Sequence, residues 1–167
     1  MKIFTFAYLS PYSKSSGTGG IIAKRKKGRK AIDTGRSVNV YFKGHVNSQL
    51  NWSFEPCQNW IKCRVGESAL AFYRVTNHSD VPVKGIASYD ILPVQAGQYF
   101  NKIQCFCFDE QLLKPGETVD MPVLFMVDPD YNEDPFLYSV DKLTLAYTFY
   151  RCRDGFKLPI PNFLKNL

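Results

Sequence analysis

From Arg36 the chain alternates apolar and polar positions with a period of two. Val38, Val40 and Phe42 fall on one side and Ser37, Asn39 and Tyr41 on the other, the pattern of a half-buried strand. Further runs of the same kind are WIKCRV (60–65), ALAFYRVT (69–76), VKGIASYDIL (83–92), YFNKIQCFCF (99–108), VDMPVLFMV (119–127) and LTLAYTFY (143–150). Turn chemistry separates them at Gly66-Glu67, NHSDVP and KPGE. Helical periodicity is confined to one short turn expected near residues 128–134. Pro122, which cannot donate to a ladder, predicts an edge strand or a bulge within 119–127. About seven short strands with regular turns predict an all-β fold, an antiparallel β-sandwich, and immunoglobulin-like is the commonest sandwich of this length.

The flanks read differently. Residues 10–35 are rich in Ser, Gly and Lys and lack a sustained apolar period, so 1–35 is expected to be an extended arm ahead of a domain at 36–150. The tail at 151–167 carries two prolines and scattered apolar residues, as an extended segment lying against something would. With 167 residues, 13 of them Phe and 10 Tyr, the chain can bury one aromatic-rich core without cysteine staples. The formal charge of +6 traces mostly to KRKKGRK at 24–30, and the rest is near neutral. Such a run is a solvated tail or a contact for an acidic partner or anionic lipid; no aromatic interleaving or motif points to nucleic acid. No window reaches the ~20 apolar residues of a membrane-spanning helix, and the opening residues are too short for a secretory signal.

Few residues offer chemistry. The only imidazoles, His45 and His78, are expected at the surface, at a strand end and in a turn, without a nucleophile beside them. GTGG at 17–20 lacks the lysine and the strand-to-helix setting of a phosphate loop. Asp128, Asp130, Glu133 and Asp134 lack calcium-loop spacing and are expected to be solvated. No enzymatic constellation emerges. Five cysteines, Cys57, Cys63, Cys105, Cys107 and Cys152, cannot all pair within one chain. Cys57 and Cys63 either pair with each other or pack, and neither they nor Cys152 is assigned a function. In a strand Cys105 and Cys107 share a face, side by side, with Phe106 on the other. Two soft donors suit Cu(I), which accepts low coordination numbers, whereas structural zinc wants four ligands. Inert packing and a strained disulfide are the alternatives.

The run from Ala69 to Pro129, and beyond it RSVNVYFKGHVNSQLNWSFEP (36–56) and LTLAYTFY, closely resembles the CtaG family, the membrane-anchored copper-delivery assembly factors of cytochrome c oxidase in mitochondria and bacteria. The hallmark is the C-F-C-F core with its FNKIQ lead and EQ follow-up, here Phe100 to Gln111. The resemblance implies an immunoglobulin-like domain on the intermembrane-space side of the mitochondrial inner membrane. It implies Cu(I) bound by Cys105 and Cys107, and copper insertion into the buried site of the largest oxidase subunit or its assembly intermediates. A copper donor protein and a homodimer completing the copper site are implied as partners. The family also begins with a transmembrane helix and a short segment bearing a further cysteine. Here GTGG matches the end of that segment, Ser13 stands where the cysteine should be, and the helix is absent, so the chain as given is expected to be peripheral. The insertion at 21–34 has no counterpart in the family. Two readings follow: a copper chaperone working through Cys105 and Cys107, or an accessory structural subunit of the oxidase or a larger respiratory assembly that keeps the fold without transferring copper.

Overall fold

The computed structural model describes residues 35–105 and 110–152. The arm at 1–34, with its basic run, GTGG and Ser13, and the tail beyond Cys152 lie outside them. The strands are β1 (Ser37–Val46), β2 (Trp52–Pro56), β3 (Trp60–Arg64), β4 (Ser68–Asn77), β5 (Val83–Leu92), β6 (Phe100–Cys105), β7 (Gln111–Leu113), β8 (Thr118–Val127) and β9 (Lys142–Arg151). They form two sheets, β3-β1-β9-β5-β7 and β2-β4-β8-β6, an all-β sandwich as expected. The pairing is not wholly antiparallel: β1 runs parallel to β9, from Asn39 opposite Lys142 to Val46 opposite Phe149. A parallel pair needs strands distant in sequence, so local alternation carries no sign of it.

Period-two burial is clear in β8 from Met121 to Val127 and in β9 from Leu143 to Phe149, where every second residue is buried. Val38, Val40 and Phe42 of β1 are buried on the same inner face, as the alternation predicts. Between the sheets lies an aromatic layer. Phe54 stacks on Tyr73 at 4.8 Å with the rings 7° from parallel, and meets Phe149 edge-on at 4.8 Å. Tyr73 meets Tyr147 edge-on at 5.3 Å, and its hydroxyl donates to the Leu145 carbonyl at 3.2 Å, joining β4 of one sheet to β9 of the other. Ring pairs of this kind add about 0.5–1.5 kcal/mol each beyond the area they bury.

Two elements carry no strand prediction, β2 and β7, and a 3₁₀ turn at Val94–Tyr99 likewise appears only in the structure. The turn expected near 128–134 is a 3₁₀ turn at Pro129–Asn132, where the Asp128 side chain accepts from the Asp130 amide. Asp128 also accepts from Asn101 Nδ2 at 3.1 Å, and Asp134 accepts from the Tyr99 hydroxyl and the Phe136 amide, each at 2.8 Å. These two carboxylates therefore hold loop backbone and a phenol rather than standing merely solvated. At the start of the domain, Arg36 donates to the Leu137 and Val140 carbonyls at 2.8 and 2.9 Å and lies over the Tyr131 ring, tying β1 to the loop before β9.

Pro122 corrects an expectation. Its strand, β8, lies inside the sheet between β4 and β6 rather than at an edge. The Phe72 carbonyl opposite it accepts from the Cys57 amide on the β2 side, so Phe72 and Pro122 form a non-hydrogen-bonded pair and the missing donor deprives β4 of nothing. The irregularity of the sheet lies instead in β6, between Lys102 and Gln104.

Gly44 of β1 packs so close to Phe54 of β2 that an added Cβ would overlap the Phe54 backbone carbonyl. Because rigid backbone cannot yield as a side-chain tip can, Gly44→Ala is expected to destabilise the domain by about 1–3 kcal/mol. Chemical denaturation checks this; an unchanged midpoint would show that the two strands separate without cost.

Candidate functional site

Cys105 falls where the chain leaves one sheet for the other. β6 is one edge strand of the four-stranded sheet and ends at Cys105; β7, starting at Gln111, is one edge strand of the five-stranded sheet. Cys107, with all of 106–109, lies outside the described residues, so the shared-face expectation for the pair is an inference from sequence. Cys105 stands opposite Val123 of β8, which is itself buried. Without the irregularity between Lys102 and Gln104, the alternation of β6 would place Gln104, not Cys105, in that register. Bulges of this kind recur beside functional sites because they re-aim a strand.

Near the end of this crossing, Glu110 accepts from Lys84 Nζ at 3.3 Å and from the Cys152 thiol at 3.1 Å. The thiol and then the lysine hold its carboxyl below the usual carboxylate range. Cys152 is anchored further by its amide, which donates to the Lys84 carbonyl at 2.9 Å, so ordered pairing runs past the end of β9. Cys57 and Cys63 do not bridge: Cys57 is exposed, while Cys63 is buried with its thiol 3.7 Å from the Val38 carbonyl. Burial pushes the Cys63 thiol up to about 11, which suits a packing residue rather than a ligand. Among the described residues no group of three or more His, Cys, Asp or Glu side chains gathers around a point. His45 is exposed in β1, and His78 is exposed with its Nε2 2.9 Å from Ser53 Oγ.

One residue of the C-x-C lead escapes sequence reasoning. Lys102, three residues ahead of Cys105, sends its side chain inward, and Nζ lies 3.1 Å from the centre of the Tyr89 ring with the nitrogen itself buried. Burial pulls its ammonium down from the ordinary lysine value to about 6. The cation–π contact with Tyr89 favours the charged form and works against that loss. A lysine amid IQCFCF carries no periodic sign of burial, because alternation describes faces and not which long side chain turns into a core.

A family model described as cytochrome c oxidase assembly protein CtaG/Cox11 matches residues 10–151. The chain is 52% identical over 128 residues to cytochrome c oxidase assembly protein COX11, mitochondrial, of Homo sapiens, covering 77% of this chain and 46% of that protein. It is 51% identical over 119 residues to cytochrome c oxidase assembly protein ctaG of Reclinomonas americana, covering 71% of this chain and 65% of that one. With the COX11 protein of Saccharomyces cerevisiae the identity is 45% over 145 residues, covering 84% of this chain and 48% of that one. The chain thus spans about half the length of the human and yeast relatives it matches, at 46% and 48%.

The buried lysine sets a pH dependence. Its folded value is lowered, so between about 6 and the unfolded value near 10.4 the unfolded chain binds the extra proton and stability rises with pH. Above about pH 8.5 the raised Cys63 thiol acts in the opposite direction, which leaves pH 6 to 8.5 as the clean window. Thermal melts across that window are expected to show rising stability in the native chain and a flatter profile in Lys102→Met. Identical slopes would mean that the amine is not desolvated.

Proposed function

This chain belongs to the cytochrome c oxidase assembly protein CtaG/Cox11 family, and from that we propose that it serves in assembly of the oxidase as a carrier of Cu(I) held by Cys105 and Cys107. The largest oxidase subunit, or an assembly intermediate containing it, would receive the copper, and a donor protein would supply it. The setting is the intermembrane-space side of the mitochondrial inner membrane, in keeping with relatives that are named mitochondrial. A second copy of the chain, meeting the first at the copper, would complete the coordination.

The observation that carries this reading is the place of Cys105: the last residue of an edge strand, at the crossing between the two sheets, within the segment matched to the family. Copper here is cargo, and transfer needs a site that an incoming ligand can reach. An edge strand has a neighbour on one side only, whereas an interior strand is enclosed on both. Two thiolates select Cu(I) over harder ions and leave it below its coordination limit. An acceptor thiol or imidazole can then bind before a donor thiolate departs, so the ion passes by ligand exchange without being released to water. No covalent bond of a substrate is made or broken, and the immunoglobulin-like sandwich acts as a rigid holder.

The reduced, purified chain is expected to bind close to one Cu(I) per chain, and a Cys105→Ala, Cys107→Ala double variant to lose it. Copper content after gel filtration measures both, and undiminished binding by the double variant would remove these residues as ligands. Fixed-stoichiometry co-purification with mature oxidase, without copper transfer, would put the accessory-subunit reading in its place.

A further inference from the structure

The outer face of the five-stranded sheet carries charge that the fold itself does not use. Residues alternating with the inward Val38, Val40 and Phe42 of β1 point away from the core, and the registers of β3 and β9 set their own outward residues beside them. One row across the three strands reads Lys62, Asn39 and Lys142, and the next sets Trp60 beside Tyr41. Lys43 follows Tyr41 by two residues on the same side of β1. Lys62 and Lys142 stand two strand spacings apart, about 10 Å, and Lys43 lies about 13 Å along β1 from the Asn39 between them.

All three lysines are exposed, and among the described residues none of their side chains forms an ion pair or a hydrogen bond. Nearby charges are matched with one another instead. Arg64 has Glu67 at 3.7 Å, Lys84 has Glu110 at 3.3 Å, and Asp141, beside Lys142 in the chain, is held by Arg36 at 3.1 Å. Asp90 of β5 is half-buried and lies two strands from Lys43, across Ala146 of β9. On the outer face of the other sheet Arg74 and Asp120 close on each other at 2.7 Å. Three unmatched cations thus share adjoining strands.

An aromatic pair stands among them. The rings of Tyr41 and Trp60 are 6.2 Å apart and tilted by 32°, and Trp60 is 51% exposed. Neither the Tyr41 hydroxyl nor the Trp60 indole N–H bonds to a described residue. Apolar rings with wet polar tips, flanked by flexible lysine stems, suit the boundary between water and hydrocarbon in a bilayer, where Trp and Tyr lie at headgroup level. A folded acidic partner is better met by arginine forks around a packed apolar centre. Lysines are point charges without a directional demand, and on an open sheet face they suit a continuous anionic surface.

We propose that the outer face of β3, β1 and β9 docks on an anionic phospholipid bilayer, with Lys43, Lys62 and Lys142 at headgroup phosphates and Trp60 seated at the interface. The contact is electrostatic and reversible, and it does not depend on copper. It also leaves the other end of the sheet open: in the order β3-β1-β9-β5-β7 the lysines occupy the half remote from β7. A domain docked by that half keeps the β7 edge, toward which the chain crosses from β6, uncovered and turned along the membrane plane.

The test mixes the full reduced chain with vesicles of phosphatidylcholine, alone or with about one-quarter phosphatidylglycerol to make the surface negative. Co-sedimentation measures binding, and brominated acyl chains quench tryptophan at the interface. Of the two tryptophans Trp52 is buried, so quenching reports Trp60. Binding is expected to the anionic vesicles only, weakening as salt rises. The triple variant Lys43→Gln, Lys62→Gln, Lys142→Gln is expected to bind roughly a hundredfold more weakly, about fivefold for each lysine. Lys84→Gln, Lys114→Gln, Arg151→Gln, an equal charge loss at other exposed positions, is expected to keep most of the binding, and Trp60→Phe to lose the quenching. Every substituted side chain is exposed, so the variants are expected to fold, which unchanged thermal melts check. KRKKGRK at 24–30 is present in all of them, so differences between variants belong to the sheet face. Equal losses in the two triple variants would assign the attraction to net charge, and undiminished binding by the first would assign it to the basic run; either would overturn this docking face. Retention of the native chain on polyglutamate through these lysines, without binding to anionic vesicles, would overturn it in favour of an acidic protein.

Discussion

Everything else in the domain depends on the aromatic layer that fastens the two sheets together. Phe54, Tyr73, Tyr147 and Phe149 form a continuous set of stacked and edge-on contacts, and the Tyr73 hydroxyl reaches a carbonyl of the facing sheet. A buried phenol without a partner would be a penalty; bonded to a backbone acceptor across the interface, it fixes the sheets in register as well as in distance. Burial holds Tyr73 far above the ordinary phenol range, so the donor persists at any pH the protein would meet.

That rigidity matters because the strand carrying Cys105 is poorly supported by its own sheet. Among the described residues β6 has a ladder partner, β8, on one side only, and the pairing is irregular between Lys102 and Gln104. Lys102, laid on Tyr89, ties it to the facing sheet. An edge location with a bulge is a poor template for further strand pairing, which protects against aggregation, and it leaves the strand end reachable. The same buried lysine packs against Tyr89, and desolvation opposes its charge.

Much of the fold could be read from the order of residues. Period-two alternation locates seven of the nine strands, since one buried face writes itself into a strand as every second residue. β7 escapes because three residues are too few for a period, and β2 because its Trp52 and Phe54 sit in a short segment ending in proline. Pro122 misleads because proline is compatible with an interior strand at a non-hydrogen-bonded position, a distinction that exists only once the neighbouring strand is in place.

Sequence by itself determined the all-β class and the inward faces of the strands, because each depends on residue type and near spacing. Tertiary structure alone decided that β1 lies parallel to β9, that Cys105 ends an edge strand at the crossing between sheets, and that Lys102 turns into the core against Tyr89. The reason is physical: alternation reports which side of a strand meets the core, but which strands become neighbours, and which long side chain spans the gap between sheets, is settled by packing among residues distant in the chain.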